Sequence, residues 1–332
     1  MATPIGTSTV TAIARQYILP QITDQIYGSN VILYRLLQGN KRLIQGGTQI
    51  EVPVLYSRFA AGGAYSGFDV LATTPSDTIK SVAFDWKQFF VPVAVDGLTL
   101  IKTDSPEAIA NYLVLQTQQA TMEMAENLAN SLFQDGVTLP KELDGLTGLV
   151  GTGTTVGNAN YGGISRTANT WWNSGVQSAG GTNTLSLTGL NGAFMAATKG
   201  GQHPTIILSR VDQYNRYYAL NLGTAGGAQF PRQPMGHDEI LASAGFTNLL
   251  FNNVPWVVDS HVDLGNVATS DSKIYMLNEN FLNLVVSPRA DFFMDDFVSP
   301  HNQDAMVAML YWAGNLVCTN AAAQGGLFNT NA

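Results

Sequence analysis

Residues 104–136 read DSPEAIANYLVLQTQQATMEMAENLANSLFQDG, with neither glycine nor proline between Pro106 and Gly136. Asp104 and Glu107 stand three apart across Pro106, the spacing of a capping box with proline at the head of a helix, where its missing N–H is not needed. Ala110, Leu113, Thr117, Ala120, Met124 and Leu128 recur at helical spacing along one stripe, and Gly136 supplies the stop. The spacing predicts one continuous helix over 106–134, a rod of roughly 40 Å at 1.5 Å per residue. A narrow stripe with several small residues suits a strut that touches other elements along its length.

Upstream the period changes from 3.6 to two. Ile50, Val52, Val54 and Tyr56 share one face of an extended run, and Val82, Phe84 and Trp86 share a face of a second, opposite Ala83, Asp85 and Lys87. Between them lie AAGGAYSG and a polar turn around Pro75. The two runs predict a long two-stranded ribbon between about Gln49 and Val91 with a flexible tip. Residues 1–45 scatter Ile13, Tyr17, Ile18, Ile22, Ile26, Val31, Leu36 and Leu37 among Pro4, Pro20 and Gly28. Short helical pieces are expected there, an arm too interrupted to build its own core.

Downstream, Gly, Asn and Thr dominate residues 145–185, which read as mostly loop. A helix is expected over 188–199, the strand TIILS after Pro204, and a helix carrying Tyr214, Tyr217, Tyr218 and Leu220. Strand patterns recur at 254–258, 273–277, 282–286 and 305–311. Without a regular βαβ alternation, the class is α+β.

Of 332 residues, 45% are apolar and only 12% charged, about half the ~25% of an ordinary soluble domain. A neutral surface of Gly, Asn, Thr, Ser and Ala implies that partners cover much of it. The formal net charge of −8 argues against direct wrapping of nucleic acid, which requires clustered Lys and Arg, but is compatible with a wall along which packed DNA slides. A lone cysteine, Cys318, excludes an intrachain disulfide and a Cys-based zinc cluster. The N-terminal stretch MATPIGTSTVTAIARQYILP lacks the basic start and apolar run of a secretory signal, and no apolar run approaches the ~20 residues of a membrane span. A cytosolic protein is expected.

The order of parts, together with DWKQFFVPVAVDG, LDGLTGLV, YGGISRTANTWWN, GGQHPTIILSR, FNNVPWVVDSHV, YMLNENFLNLVVSP and YWAGNLVCTNAAAQGG, resembles the major capsid proteins of tailed bacteriophages. That resemblance implies the Hong Kong 97-type fold: an N-terminal arm (1–45), an extended loop (46–100), a spine helix in a peripheral domain (101–140), an axial domain (141–300) and a C-terminal strand and tail (301–332). It implies a shell subunit, not an enzyme, that assembles as hexamers and pentamers in the host bacterial cytoplasm and becomes part of the virion. The double-stranded DNA would be enclosed without sequence-specific contact, no membrane would be involved, and no cofactor or metal is expected. Candidate subunit contacts are Tyr17, Ile18, Arg58, Tyr65, Phe68, Lys80 and Trp86. Many such proteins begin with a charged scaffolding segment, and none stands ahead of the arm in this sequence: either it has been cleaved or a separate scaffolding protein is expected, and Met1 favours the second; a portal and a cement protein are further partners of such shells. Some relatives join a loop lysine to an asparagine of another subunit; Lys80 and Lys87 lie in the ribbon, where solvated edge lysines are the commoner case.

Other chemistry is thinly supported. Neither a GxSxG elbow nor an HExxH helix is present. GTGTTVG (151–157) lacks the GxGxxG spacing and the trailing Lys-Ser/Thr of a phosphate loop and reads as a surface loop. Asp259, His261 and Asp263 alternate at a strand end, where a solvated polar face accounts for them without a metal. Trp171 and Trp172 read as anchors in the domain or at a subunit contact; Phe84, Trp86, Phe89 and Phe90 divide between core and neighbour. The rival functions are an encapsulin-type nanocompartment shell, a tail or decoration protein, and an α+β hydrolase using the acidic strand around Asp259.

Overall fold

The computed structural model describes residues 30–59, 61–71, 73–98, 106–154, 156–178, 185–222, 248–262, 272–301 and 303–330. Helix α1 spans Val31–Gly39 and α2 spans Pro106–Leu132. On α2, Leu113, Thr117, Ala120, Met124 and Leu128 are buried as their spacing predicts, and Ala125, Ala129 and Leu132 widen the stripe; Leu115 and Met122 face water. Asp104, half of the expected cap, lies outside the described residues. The helix ends two residues before the expected boundary. Its last turn tightens, with Phe133 N donating to Asn130 O (3.2 Å) and Gln134 N to Ser131 O (3.1 Å). Asp135 Oδ1 then accepts from Val137 N and Thr138 N, and Gly136 adopts φ +69, which a side chain would resist.

Strands β1 (Lys41–Leu43), β2 (Ile50–Leu55), β3 (Ile79–Phe84) and β4 (Lys87–Asp96) follow α1. The arm region therefore contains a helical piece, as expected, and a short strand that was not. β2 and β3 form the ribbon, antiparallel from Ile50↔Phe84 to Leu55↔Ile79. The ribbon stops at Phe84, short of the expected Val91, because β4 leaves it for the body. There Val91, Val93 and Val95 are buried, and β4 lies against α2.

After α2 come α3 (Leu146–Leu149), β5 (Asn160–Tyr161), β6 (Ile164–Ser165) and β7 (Gly175–Ser178). This region is irregular, as its composition predicts, yet it is not a surface feature: Leu146, Leu149, Val150, Tyr161, Ile164 and Trp172 join the main core. Arg166 is fully buried there, its guanidinium donating to Gly148 O (3.2 Å) and to Leu149 O, which closes the C-terminal end of α3.

The remaining elements are α4 (Leu187–Ala197), β8 (Ile206–Ser209), α5 (Val211–Leu222), β9 (Asn248–Phe251), β10 (Val254–Val258), β11 (Ser272–Leu277), β12 (Leu282–Val286), β13 (Phe293–Met294), β14 (Ala305–Cys318) and β15 (Gly325–Thr330). One sheet orders β7-β15-β11-β8-β10-β9 and mixes parallel and antiparallel pairs. Its alternate residues enter two cores. Ile206, Leu208, Val257, Tyr275, Leu277 and Phe328 join the main core, while Ile207, Trp256, Ile274, Met276 and Leu327 join a second with Leu190 and Phe194 of α4 and Tyr217 of α5. Burial on both faces explains why IIL (206–208) and IYML (274–277) are unbroken apolar runs. The other sheet is built on β14, which pairs with β4 over Ala305–Gly314 and with β12 over Gly314–Cys318; β1 adds parallel to β12. β14 is longer than the expected 305–311 because Gly314 and Asn315 interrupt the alternation without ending the strand.

Replacing Leu128, fully buried, with alanine should cost about 2–5 kcal/mol of subunit stability, whereas Leu115→Ala on the exposed face should stay within about 0.5 kcal/mol. Denaturant unfolding of the two variants checks this; equal losses would mean the helix does not seat on its Leu113–Leu128 stripe.

Candidate subunit-contact surface

The ribbon divides into an anchored root and an unanchored tip. At the root, Trp86 Nε1 donates to Gly47 O (3.0 Å) and Gln49 Nε2 to Asp85 Oδ1 (2.7 Å). Ala83 N donates to Gly162 O (3.1 Å). This close approach depends on glycine: at φ +58, a Cβ on Gly162 would sit 2.2 Å from Val82 Cγ1. Asn315, wholly buried, donates to Asp85 O (2.8 Å) and Asp144 Oδ2 (2.7 Å) and accepts from Asp144 N (3.0 Å), tying ribbon end, β14 and the segment after α2 together. Burial raises the Asp144 carboxyl above its ordinary range, against the lowering effect of Asn315 and Lys87.

Halfway up, Tyr56 stacks on Trp171 (centroids 5.5 Å) and its hydroxyl donates to Asp77 O (2.9 Å). Lys80 Nζ lies 5.3 Å over the Tyr56 ring and donates to Asn169 Oδ1 (2.8 Å), so this lysine is occupied within its own chain. Lys87 is not in the ribbon: it opens β4, and its Nζ donates to Pro140 O (2.7 Å).

Beyond Tyr56 the described residues form no strand until Ile79, and Ser66 and Asp69 make a local turn (Asp69 N to Ser66 O, 2.9 Å). Phe59, Tyr65, Phe68, Val70 and Leu71 are all exposed, Phe68 and Val70 essentially completely (103% and 98%). Large apolar side chains concentrated on one projecting loop are the pattern of a surface meant to be covered.

Of the candidate contacts, Arg58, Tyr65 and Phe68 share this exposed tip, while Lys80 and Trp86 are half-buried on partners in their own chain. Tyr17 and Ile18 lie outside the described residues. Sequence reasoning passed over Phe59, Val70 and Leu71, although an apolar residue in a Gly-rich loop with no adjacent period to place it in a core is itself a signal. Below the tip, Pro53, Leu55, Tyr56, Trp171, Phe281 and Asn320 border an open cleft of about 410 Å³ whose lining contains no histidine, lysine or carboxylate.

Several residues weighed for other chemistry resolve as structure. Trp172 is a core anchor, its Nε1 donating to Tyr161 O (3.1 Å), and Trp171 packs beside it. Phe84 is core, Phe89 packs on Trp312 and Phe90 is exposed. The 151–157 loop is not free on the surface: Gly151 is buried, and a Cβ on Gly157 would meet Arg166 Nη1 at 2.8 Å. Burial pushes the Cys318 thiol up to about 12, so it is an inert core group. Asp259 and His261 are not a solvated face: both are 4% exposed, and Asn30 at the head of α1 and Glu126 of α2 lie against the imidazole. Asp263 lies outside the described residues.

No family model and no curated protein matches the sequence. Solved structures do match. The capsid asymmetric unit of cyanophage A-1(L) aligns with a TM-score of 0.61 at 18% identity, over 90% of this chain and 92% of that one. The capsid of a native GTA particle aligns at 0.58 and 10%, over 88% and 89%. The SrpI encapsulin of Synechococcus elongatus PCC 7942 aligns at 0.54 and 10%, over 89% and 87%. The chain thus has the mixed α+β Hong Kong 97-type fold. Among the described residues, no helix is long and apolar enough to cross a membrane.

If root and tip differ as described, Phe68→Ser combined with Val70→Ser should leave thermal unfolding of the subunit within about 0.5 kcal/mol of the parent. Trp172→Ala should cost about 3–5 kcal/mol. A large loss from the tip pair would place those residues in a core.

Proposed function

We propose that this chain is a shell subunit, the major capsid protein of a tailed phage, which closes into an icosahedral container for double-stranded DNA. The reading is carried by the ribbon: a projection fixed to the body at its root and, halfway up, through Tyr56 and Lys80, beyond which five large apolar or aromatic side chains between Phe59 and Leu71 are exposed to water. Burying each against a neighbour would contribute about 1.5–3 kcal/mol, modest singly but repeated at every symmetry-related contact. Arg58, Tyr65 and Phe68 are assigned to that contact; Trp86 at the root and Lys80 halfway up hold the ribbon that aims them. Tyr17 and Ile18 are assigned to the arm on sequence grounds. Hexamers and pentamers of this chain, a separate scaffolding protein, a portal and a cement protein belong to the same reading. The mechanism is association, with no bond made or broken.

The encapsulin likeness favours a second reading, a compartment enclosing protein cargo. The phage reading is preferred because the cyanophage capsid aligns better in both identity and TM-score. Particles purified from the native source should show the absorbance ratio of packaged DNA; protein-dominated particles would select the compartment.

Deleting Ala60–Ser76 and closing the ribbon with a short glycine-containing turn should leave the subunit folded, since loop length enters closure entropy only logarithmically. Particle yield by negative-stain microscopy should fall to background. Unchanged particles would remove the tip from assembly; an unfolded subunit would place it in the core.

A further inference from the structure

His261 lies between three elements, in a cluster that neither the fold nor the contact surface explains. Its side chain is 5% exposed and that of Asp259 1%, while Glu126 of α2 reaches in from a half-exposed position. Nε2 is 2.8 Å from Glu126 Oε1. Nδ1 has two neighbours at nearly equal distance, Asp259 Oδ1 at 3.0 Å and Asn30 Nδ2 at 3.1 Å. The Asn30 amide is not free to turn over, because its Oδ1 caps α1 by accepting from Leu33 N (2.9 Å). Its NH2 group must therefore face the imidazole.

One nitrogen cannot serve both neighbours. Without a proton, Nδ1 accepts from Asn30; with one, it donates to Asp259. We propose that the proton on His261 selects between Asn30 and Asp259, so that pH sets how firmly the start of α1 is tied to α2 and to the end of β10. The neutral ring bonds Asn30 through Nδ1 and donates from Nε2 to Glu126. The charged ring donates to both carboxylates, and Asn30 loses its acceptor. Asp259 Oδ2, buried and without a hydrogen-bond partner among the described residues, marks a carboxylate poised for such a charge.

Among the described residues the charged groups facing the ring are Asp259 and Glu126, and Asn30 is its neutral contact. The hydrogen bond to Asp259, then that to Glu126, raise the His261 pKa above 6.5, outweighing the lowering effect of burial. A raised folded value means the ion-pair contribution to stability is fully present below pH 6.5 and is lost as pH rises through the higher folded value. The head of α1 tightens onto His261, through Asn30, over that same upward interval. The device is independent of whether the chain builds a shell.

The test is magic-angle-spinning NMR of protein 15N-labelled at histidine, which reads the ring whether the chain is free or assembled, with hydrogen exchange of α1 alongside. In the parent, His261 should titrate above 6.5. Asp259→Asn should lower that midpoint by about 1 pH unit, and Glu126→Gln, at the more exposed contact, should lower it with less risk to folding. Asn30→Ser keeps an N-cap but removes the competing amide, so it should raise the midpoint. Protection of the Leu33 amide, corrected for intrinsic exchange, should fall from pH 9 to pH 6 in the parent and stay constant in His261→Gln. A His261 midpoint at or below 6.5, or Asn30→Ser leaving both the midpoint and the protection of α1 unchanged, would overturn the proposal.

Discussion

The antiparallel ladder between β4 and β14 is the contact on which the rest of the molecule depends. It runs without a break from Asp96↔Ala305 to Lys87↔Gly314 and joins chain segments more than two hundred residues apart. On one side, β4 continues directly from the ribbon and lies against α2; on the other, β14 passes through Asn315 to β12. The direction in which the ribbon leaves the body is fixed where this ladder ends, at Lys87, Asn315 and Asp144. Such non-local pairing stabilises nothing until the intervening two hundred residues have been closed into a loop.

That arrangement separates two jobs often confounded in assembling proteins. The body buries its apolar stripes internally, with the six-stranded sheet covered on both faces. The ribbon does so only along its lower part, where Ile50, Val82 and Phe84 enter the main core; the tip beyond Tyr56 has no further layer to pack on and leaves its large apolar side chains exposed. In the proposed shell, stability of the subunit and affinity between subunits would then rest on different residues.

The elements most legible in the sequence were those whose period is enforced by a single packed face. The α2 stripe and the two-sided runs of β8 and β11 belong here, because each buried position has a regular neighbour. The end of the ribbon was missed, although a signal was present. Val82 and Phe84 are buried at even positions, Val91, Val93 and Val95 at odd ones, and such a change of parity requires the strand to break between them. The burial of 145–178 was hidden by its Gly-rich composition, where close backbone packing replaces an apolar period. Of the His261 cluster only the Asp259–His261 spacing was legible, and it was read as a solvated face; Glu126 and Asn30 arrive from 135 and 231 residues away. The exposed tip was half legible, with Tyr65 and Phe68 singled out and Val70 and Leu71 passed over.

The most direct measurement of the central claim is an electron cryomicroscopy map of the material formed by the purified chain. The account predicts closed particles in which residues 50–84 extend from each subunit and Phe59, Phe68 and Val70 are covered by an adjacent copy. A chain that remains strictly monomeric at high concentration and low ionic strength, or particles in which the ribbon tip stays in solvent, would contradict it.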